Sequence, residues 1–327
     1  MDNHPISCYH LGHYFQVDGK QLQEQYKEHI SDYSDWDQKA HADQWMLFVE
    51  NVSPRLSIDE TALSNGELYT IVTNKEAKGR KGAIVAMIKG TVSENIISVL
   101  KKIPERLRKR VQEVTMDMAA NMQLAVKRCF VNAHRVIDRF HVQKLAYDAV
   151  QEVRIKYRWE AIDAENEDVA KAKKDRVTYQ AEVLDNGDTL KQLLARSRYL
   201  LFKHPSRWTP SQEFRAELLF QRYPKLKNAY TIAQKLGDIF RVCKSKEQAF
   251  KRLAIWYNEV EACEIDSFRT VGRSIQAHYL YILNFFINRS TNASAESFNA
   301  KIKAFRATSR GVRDIKFFLF RLSKIYG

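Results

Sequence analysis

Cysteine is scarce in this chain, and what there is does not pair. Cys8, Cys129, Cys243 and Cys263 are scattered and form neither a Cys-x-x-Cys motif nor a disulfide framework, which suits a reducing cytosol. Nor is a secretory leader expected from the first residues. The opening MDNHPISCYH is polar and lacks the basic, apolar and cleavage regions of a signal peptide. No apolar run has the length needed to cross a bilayer. The greasiest stretch, residues 279–287, is short and carries Asn284, which predicts a buried core helix. There is no internal repeat, no low-complexity tract, no Walker loop, no dinucleotide-binding glycine fingerprint and no GxSxG elbow. Together these absences predict a cytoplasmic protein with no membrane partner.

What the chain has in excess is positive charge. It carries 53 Lys and Arg against 39 Asp and Glu, a net +14. Such an excess favours a polyanion, most simply nucleic acid, through phosphate contacts and counterion release. On charge alone a merely basic soluble protein is as good a reading. A length of 327 residues at 45% hydrophobic allows one large domain or two ordinary ones, with a real core.

The pattern centres on residues 111–141, VQEVTMDMAANMQLAVKRCFVNAHRVIDRFH. Val114, Met116 and Met118 alternate with Thr115 and Asp117, predicting a strand; helical spacing follows over 119–131, then a second short apolar run over 135–140. Asp117 and Asp138 therefore stand near the carboxyl ends of neighbouring strands, the edge where open α/β sheets bind ligands. Upstream, RLSIDET at 55–61, ELYTIVT at 67–73 and GAIVAMIK at 82–89 predict a three-stranded antiparallel meander, with Asn65-Gly66 as its first turn. Ser93 is expected to cap the next helix. The order β-β-β-α-β-α-β implies an α/β fold, a mixed sheet of antiparallel meander plus parallel strands.

After His141 the strand signals stop. Residues 142–289 read as helices throughout, with starts at Thr209-Pro210 and Ser245 and a final helix over 268–288. At the front, 14–17 reads as a short strand, and His4, Cys8, His10 and His13 read as an unstructured segment rather than a zinc site. The expected organisation is an N-terminal segment 1–50, a core 51–144, an all-helical insertion 145–289, and a return to the core over 290–327.

Three acids stand out in this frame: Asp59, Asp117 and Glu296. Hard divalent cations need oxygen ligands, and a pair of ions can serve both the attacking and leaving oxygens of a phosphoryl displacement. Positions 296, 299 and 303 fall on one face of a helix starting near 294, carrying Glu296, Asn299 and Lys303.

The motifs LSIDET, VTMDMA and TNASAESFNAKIKAFR, with VIDRFHV between them, resemble in order and content those of the DDE transposases of bacterial insertion sequences, of the ISL-three kind. The resemblance runs from about residue 55 to 326. It implies an RNase H-like catalytic domain with a large helical insertion, and two Mg²⁺ or Mn²⁺ ions held by Asp59, Asp117 and Glu296. It further implies metal-dependent DNA strand cleavage and strand transfer. Asp138 and His141 match the family's Asp-x-x-His, and Asn292 and Asn299 match positions flanking the Glu. The expected partner is double-stranded DNA, element ends and target, with the chain a homo-oligomer associated with the bacterial nucleoid. Lys301, Lys303, Arg306, Arg310 and Arg313 are expected to contact phosphate, as are Lys75, Lys78, Arg80 and Lys81. Arg207 and Trp208 offer a base-stacking pair, against which a core role for the indole is the stronger reading. The zinc-binding and helix-turn-helix reader usual in such proteins is not apparent before Asp59, so a separate DNA-reading polypeptide is a further expected partner. The competing reading is a DNA-binding regulator or defective derivative that keeps the fold without the chemistry.

Overall fold

Alternation in the sequence builds the sheet directly. In the computed structural model, which describes all residues except Asn65, Arg310 and Gly311 and only the backbone of Ser64, six strands form one mixed sheet. They are β1 (Trp45–Leu47), β2 (Arg55–Ser64), β3 (Glu67–Asn74), β4 (Ile84–Lys89), β5 (Glu113–Met116) and β6 (His134–Ile137), in the order β1-β4-β3-β2-β5-β6. β2, β3 and β4 are the expected antiparallel meander; β5 and β6 are parallel to β2 and to each other. The turn expected at Asn65-Gly66 falls in part outside the described residues; Gly66 has φ +81°, a conformation that favours glycine.

Helices cover both faces of the sheet. Leu56 and Ile58 of β2 point into a core with α3 (Ser93–Leu100) and α5 (Ala120–Cys129); a short α4 (Glu105–Arg110) lies between these two helices in sequence. Leu63, Ile71 and Met87 point the other way, against α13 (Ala293–Thr308) and α14 (Ile315–Tyr326). α14 is apolar nearly all round because it is buried on two sides. Phe318, Leu319 and Leu322 face the sheet, while Phe317 and Phe320 pack on Tyr26, Tyr33 and Trp36. Each such side chain contributes roughly 1.5–3 kcal/mol on burial.

The N-terminal segment departs from expectation. Residues 14–17 are not a strand, and the His/Cys segment is not unstructured. Ser7 caps α1 (Cys8–Phe15), and Asp18 caps α2 (Gly19–Gln25), which runs into a π-helical turn at Tyr26–Ile30. The two helices cross where a Cβ on Gly12 would come 2.7 Å from the Gly19 Cα, so glycine is required there. Cys8 Sγ lies 3.4 Å from Met1 Sδ and the His10 ring hydrogen-bonds Ser7 Oγ at 2.8 Å, so these side chains serve packing and capping. Arg321, buried on α14, donates to the carbonyls of Met1, His4 and Ile6 and ties the segment down.

Met1–Asp138 and Asn288–Gly327 pack together as one unit, and Arg139–Ile287 as a second. The second is helical: α6 (Arg139–Lys174), α7 (Leu190–Arg196), α8 (Pro210–Arg222), α9 (Pro224–Val242), α10 (Lys246–Ala262) and α11 (Asp266–Leu283), with α12 (Phe285–Asn288) leading out. Thr209 and Ser245 cap their helices as expected. Two expectations shift: Asn284 ends α11, so 268–288 is not one helix, and Ser93 is the first residue of α3 rather than its cap, its hydroxyl turned to Glu94. At Asp188, fully buried, burial pushes the carboxyl up, but Arg215 and Arg196 outweigh it and hold it below the usual carboxylate range.

Candidate metal centre

Register sets the acids in a row. Ser57 pairs with Thr115 across β2 and β5, and Thr115 with Val136 across β5 and β6. The three strands are parallel, so Asp59, Asp117 and Asp138 each stand two residues beyond that line, level with one another. Adjacent strands lie about 4.8 Å apart. The row crosses the carboxyl end of β5 and β6, on the sheet face covered by α13.

Each acid is held differently. Asp59 is half-buried; its Oδ1 accepts from the Glu60 N–H at 2.9 Å and its Oδ2 from Asn299 Nδ2 at 2.8 Å. Asp117, also half-buried, accepts from the Ala119 N–H at 2.8 Å in the turn that leads into α5. Asp138 is only 1% exposed, and its N–H continues the ladder to the Met116 carbonyl at 2.9 Å.

The fourth carboxylate arrives on α13. Glu296 is in the first turn of that helix, exposed, and offers an oxygen within 4.8 Å of one from Asp138. Asn299, one turn later, makes the contact to Asp59. The helix thus reaches Asp138 beyond β6 and Asp59 on β2, and the Asp117 position falls between these two contacts. Glu296 is on the same side of the sheet as the three aspartates.

The surroundings suit a hard cation. Two carboxylates this close repel unless a cation or proton intervenes. All the acids offer oxygen, the donor that Mg²⁺ and Mn²⁺ prefer. Asn292, one turn before Glu296, is completely buried, and neither amide atom has a hydrogen-bonding partner among the described residues. Polar atoms so placed commonly meet ions or ordered water. His141 stands in the first turn of α6, half-buried.

The expected phosphate contacts divide. Lys303 and Arg313 are exposed, Arg306 half-buried, and Arg310 lies outside the described residues. Lys301 is exposed and donates to the Gly79 carbonyl at 2.8 Å, which ties α13 to the β3–β4 connection. Lys78, Arg80 and Lys81 are carried on that connection. Lys75 is not available to phosphate: its side chain is 13% exposed, donates to Thr115 Oγ1 at 2.8 Å and pairs with Glu113 at 3.5 Å. Burial pushes its pKa down, and Glu113 opposes that shift. In the insertion, Arg207 is exposed, whereas the Trp208 indole stacks on Tyr230 and donates to the Leu200 carbonyl at 3.0 Å. The side chain with a base-stacking expectation is therefore used in packing. Sequence reasoning also passed over Glu113, although its alternation with Thr115 and Asp117 puts it on the acid face of β5.

Comparison with known proteins bears on the same residues. The family model described as Transposase, of the DDE and ISL3 type, matches residues 56–322, from the strand of Asp59 to the helix after Glu296. The chain belongs to the ISL3-type DDE transposase family. A similar protein is the transposase for insertion sequence element IS1001 of Bordetella parapertussis, 23% identical over 269 residues. That alignment takes in 82% of this chain and 59% of the relative, so the chain spans rather less than two thirds of the protein it matches. Within the ISL3-type family, the mixed sheet is the RNase H-like domain and the helices of Arg139–Ile287 are its insertion. Among the described residues no helix is long and apolar enough to cross a membrane.

Proposed function

We propose that this chain cleaves DNA strands at the ends of an insertion sequence and joins them to target DNA, in a reaction that depends on divalent metal. The observation that carries the reading is the row of Asp59, Asp117 and Asp138 with α13 laid over it, bringing Glu296 to within 4.8 Å of Asp138. Asp59, Asp117 and Glu296 would hold two Mg²⁺ or Mn²⁺ ions. Bound there, such ions lower the pKa of an attacking oxygen and neutralise charge on the leaving one.

The chain's own residues do the rest. Asn299 fixes the rotamer of Asp59 at one end of the row. Asp138 sets a second carboxylate beside Glu296, with His141 three residues on as a supporting group. Lys301, Lys303, Arg306 and Arg313 provide positive charge along and after α13 for the backbone of double-stranded DNA. The chemistry balances without ATP. Water first takes the place of one phosphodiester oxygen and frees a 3′-hydroxyl. That hydroxyl then attacks a target phosphodiester, so one P–O bond forms as another breaks.

The test is Mg²⁺- or Mn²⁺-dependent cleavage of end-containing DNA. Asp59→Asn, Asp117→Asn and Glu296→Gln should each abolish cleavage while DNA binding persists. Full activity in any one of them overturns the assignment. A wild-type protein that binds such DNA but never cleaves it would instead mark a regulator that kept the fold.

A further inference from the structure

Beneath the acid row lies a second polar group. Glu113 opens β5 on the same strand face as Asp117 and is 2% exposed. Its two oxygens meet partners from distant parts of the chain. Lys75 Nζ is 3.5 Å from Oε1, and Asn288 Nδ2 donates to Oε2 at 3.0 Å. Lys75 is anchored in turn: its side chain donates to Thr115 and its N–H to the Arg55 carbonyl at 3.1 Å. Asn288 is where the chain re-enters this unit, and only residues 289–292 separate it from α13. That connector is bent, with Arg289 at φ +52°, and it ends at the buried Asn292, whose side chain makes no capping bond to the helix.

We infer that Glu113, Lys75 and Asn288 are positioning residues, a latch that sets where α13 begins and so where Glu296 stands over the acid row. The inference rests on Glu296 being a metal-holding residue. A buried ion pair is a poor source of stability, since well-packed hydrocarbon of similar volume holds a sheet as well or better. What hydrocarbon cannot do is accept the Asn288 amide. Further along, α13 is tied by Asn299 to Asp59 and by Lys301 to Gly79, both beyond Glu296 in sequence. Glu113 provides a tie on the amino-terminal side, through Asn288. Without it the first turn, which carries Glu296, loses an anchor on that side, and small displacements of a reacting group lower rates steeply.

Two variants test the latch in the full-length protein. Asn288→Ala removes the amide. The double variant Lys75→Met/Glu113→Leu removes the acceptor without leaving a buried charge alone. Amide hydrogen exchange on the metal-free protein is the first readout. Exchange over 289–299 should rise about tenfold in both variants, the loss expected for a hydrogen bond to a charged group, while β2, α14 and the insertion keep wild-type rates. The Mn²⁺ concentration giving half-maximal cleavage should rise by a similar factor, with DNA binding unchanged. Unchanged exchange over 289–299, or a rise spread evenly over the whole unit, overturns the latch. Glu296→Gln is the control: it should lose cleavage and keep wild-type exchange. If wild-type protein fails to cleave, the functional reading falls, and the exchange data still decide whether Asn288 holds the helix.

Discussion

The contact between Asn299 and Asp59 can be turned from attraction to repulsion by one substitution. Asn299 is 6% exposed, and its amide donates to the Asp59 carboxylate at 2.8 Å. Asn299→Ala removes a hydrogen bond to a charged group, worth roughly 1.5–3 kcal/mol. Because Asp59 is half-buried, the low end applies. Asn299→Asp removes the same bond and sets two carboxylates against each other. At a relaxed separation of about 4 Å their repulsion is about 1 kcal/mol in bulk water and about 4 kcal/mol at an effective dielectric constant of 20. Asp should therefore be the more damaging change at pH 7. The sign with pH follows from linkage. The facing carboxylates raise one another's pKa above the usual carboxylate value, so the folded variant takes up a proton more readily than the unfolded chain. Its deficit relative to wild type is full at pH 7 and shrinks as pH falls through that raised pKa. Amide exchange of β2 and α13, corrected for intrinsic pH dependence, measures this locally and avoids treating a two-unit chain as one transition. The reasoning fails if Ala is worse than Asp at pH 7, or if the Asp deficit is the same at pH 7 and about pH 4.5, near the ordinary carboxylate pKa.

Other expectations follow from the same structure. Asp188→Asn should destabilise the insertion by about 3 kcal/mol, because it leaves Arg215 facing a neutral partner in a buried setting. As the folded pKa of Asp188 is depressed, wild-type insertion should hold this stability above about pH 4 and lose it as pH falls through the folded value, which urea titrations at several pH values would show. Trp208→Phe, which deletes the bond to Leu200, should cost about 1–2 kcal/mol of insertion stability and leave cleavage intact; abolished cleavage in a stably folded variant would return the residue to base stacking. Changing Lys303, Arg306 and Arg313 to Gln should reduce the slope of log binding constant against log salt by about 0.9 for each phosphate that the protein no longer neutralises, and an unaltered slope would remove them from the DNA surface.

Much of this molecule is legible in its sequence because its signals are local. RLSIDET alternates, GAIVAMIK is uniformly apolar, and both become strands of the expected meander. Asp117 and Asp138 can be placed on neighbouring parallel strands because a helix joins β5 to β6; that β2, with Asp59, lies beside β5 is seen only in the folded sheet. What was hidden depends on distant partners. The α1–α2 hairpin exists because two glycines let helix backbones touch and because α14 supplies a surface for Tyr26 and Tyr33; nothing within 14–17 argues against a strand. Lys75 reads as one more exposed cation in a basic loop until Glu113 and Thr115, about 40 residues away, are seen to bury it. Asn299 lies 240 residues from Asp59, and only the folded chain shows which carboxylate it holds.

The position of the insertion in the chain has a consequence for synthesis. Asp138 and Glu296 end up as neighbours, yet all of Arg139–Ile287 is translated between them. A ribosome that has finished the six strands has made three aspartates and no helix for the face that bears them. Until α13 and α14 emerge, that face shows Leu63, Tyr69 and Ile71 to solvent, a sticky surface that invites chaperones or aggregation. A prematurely terminated product therefore has neither the fourth carboxylate, Glu296, nor a covered sheet face.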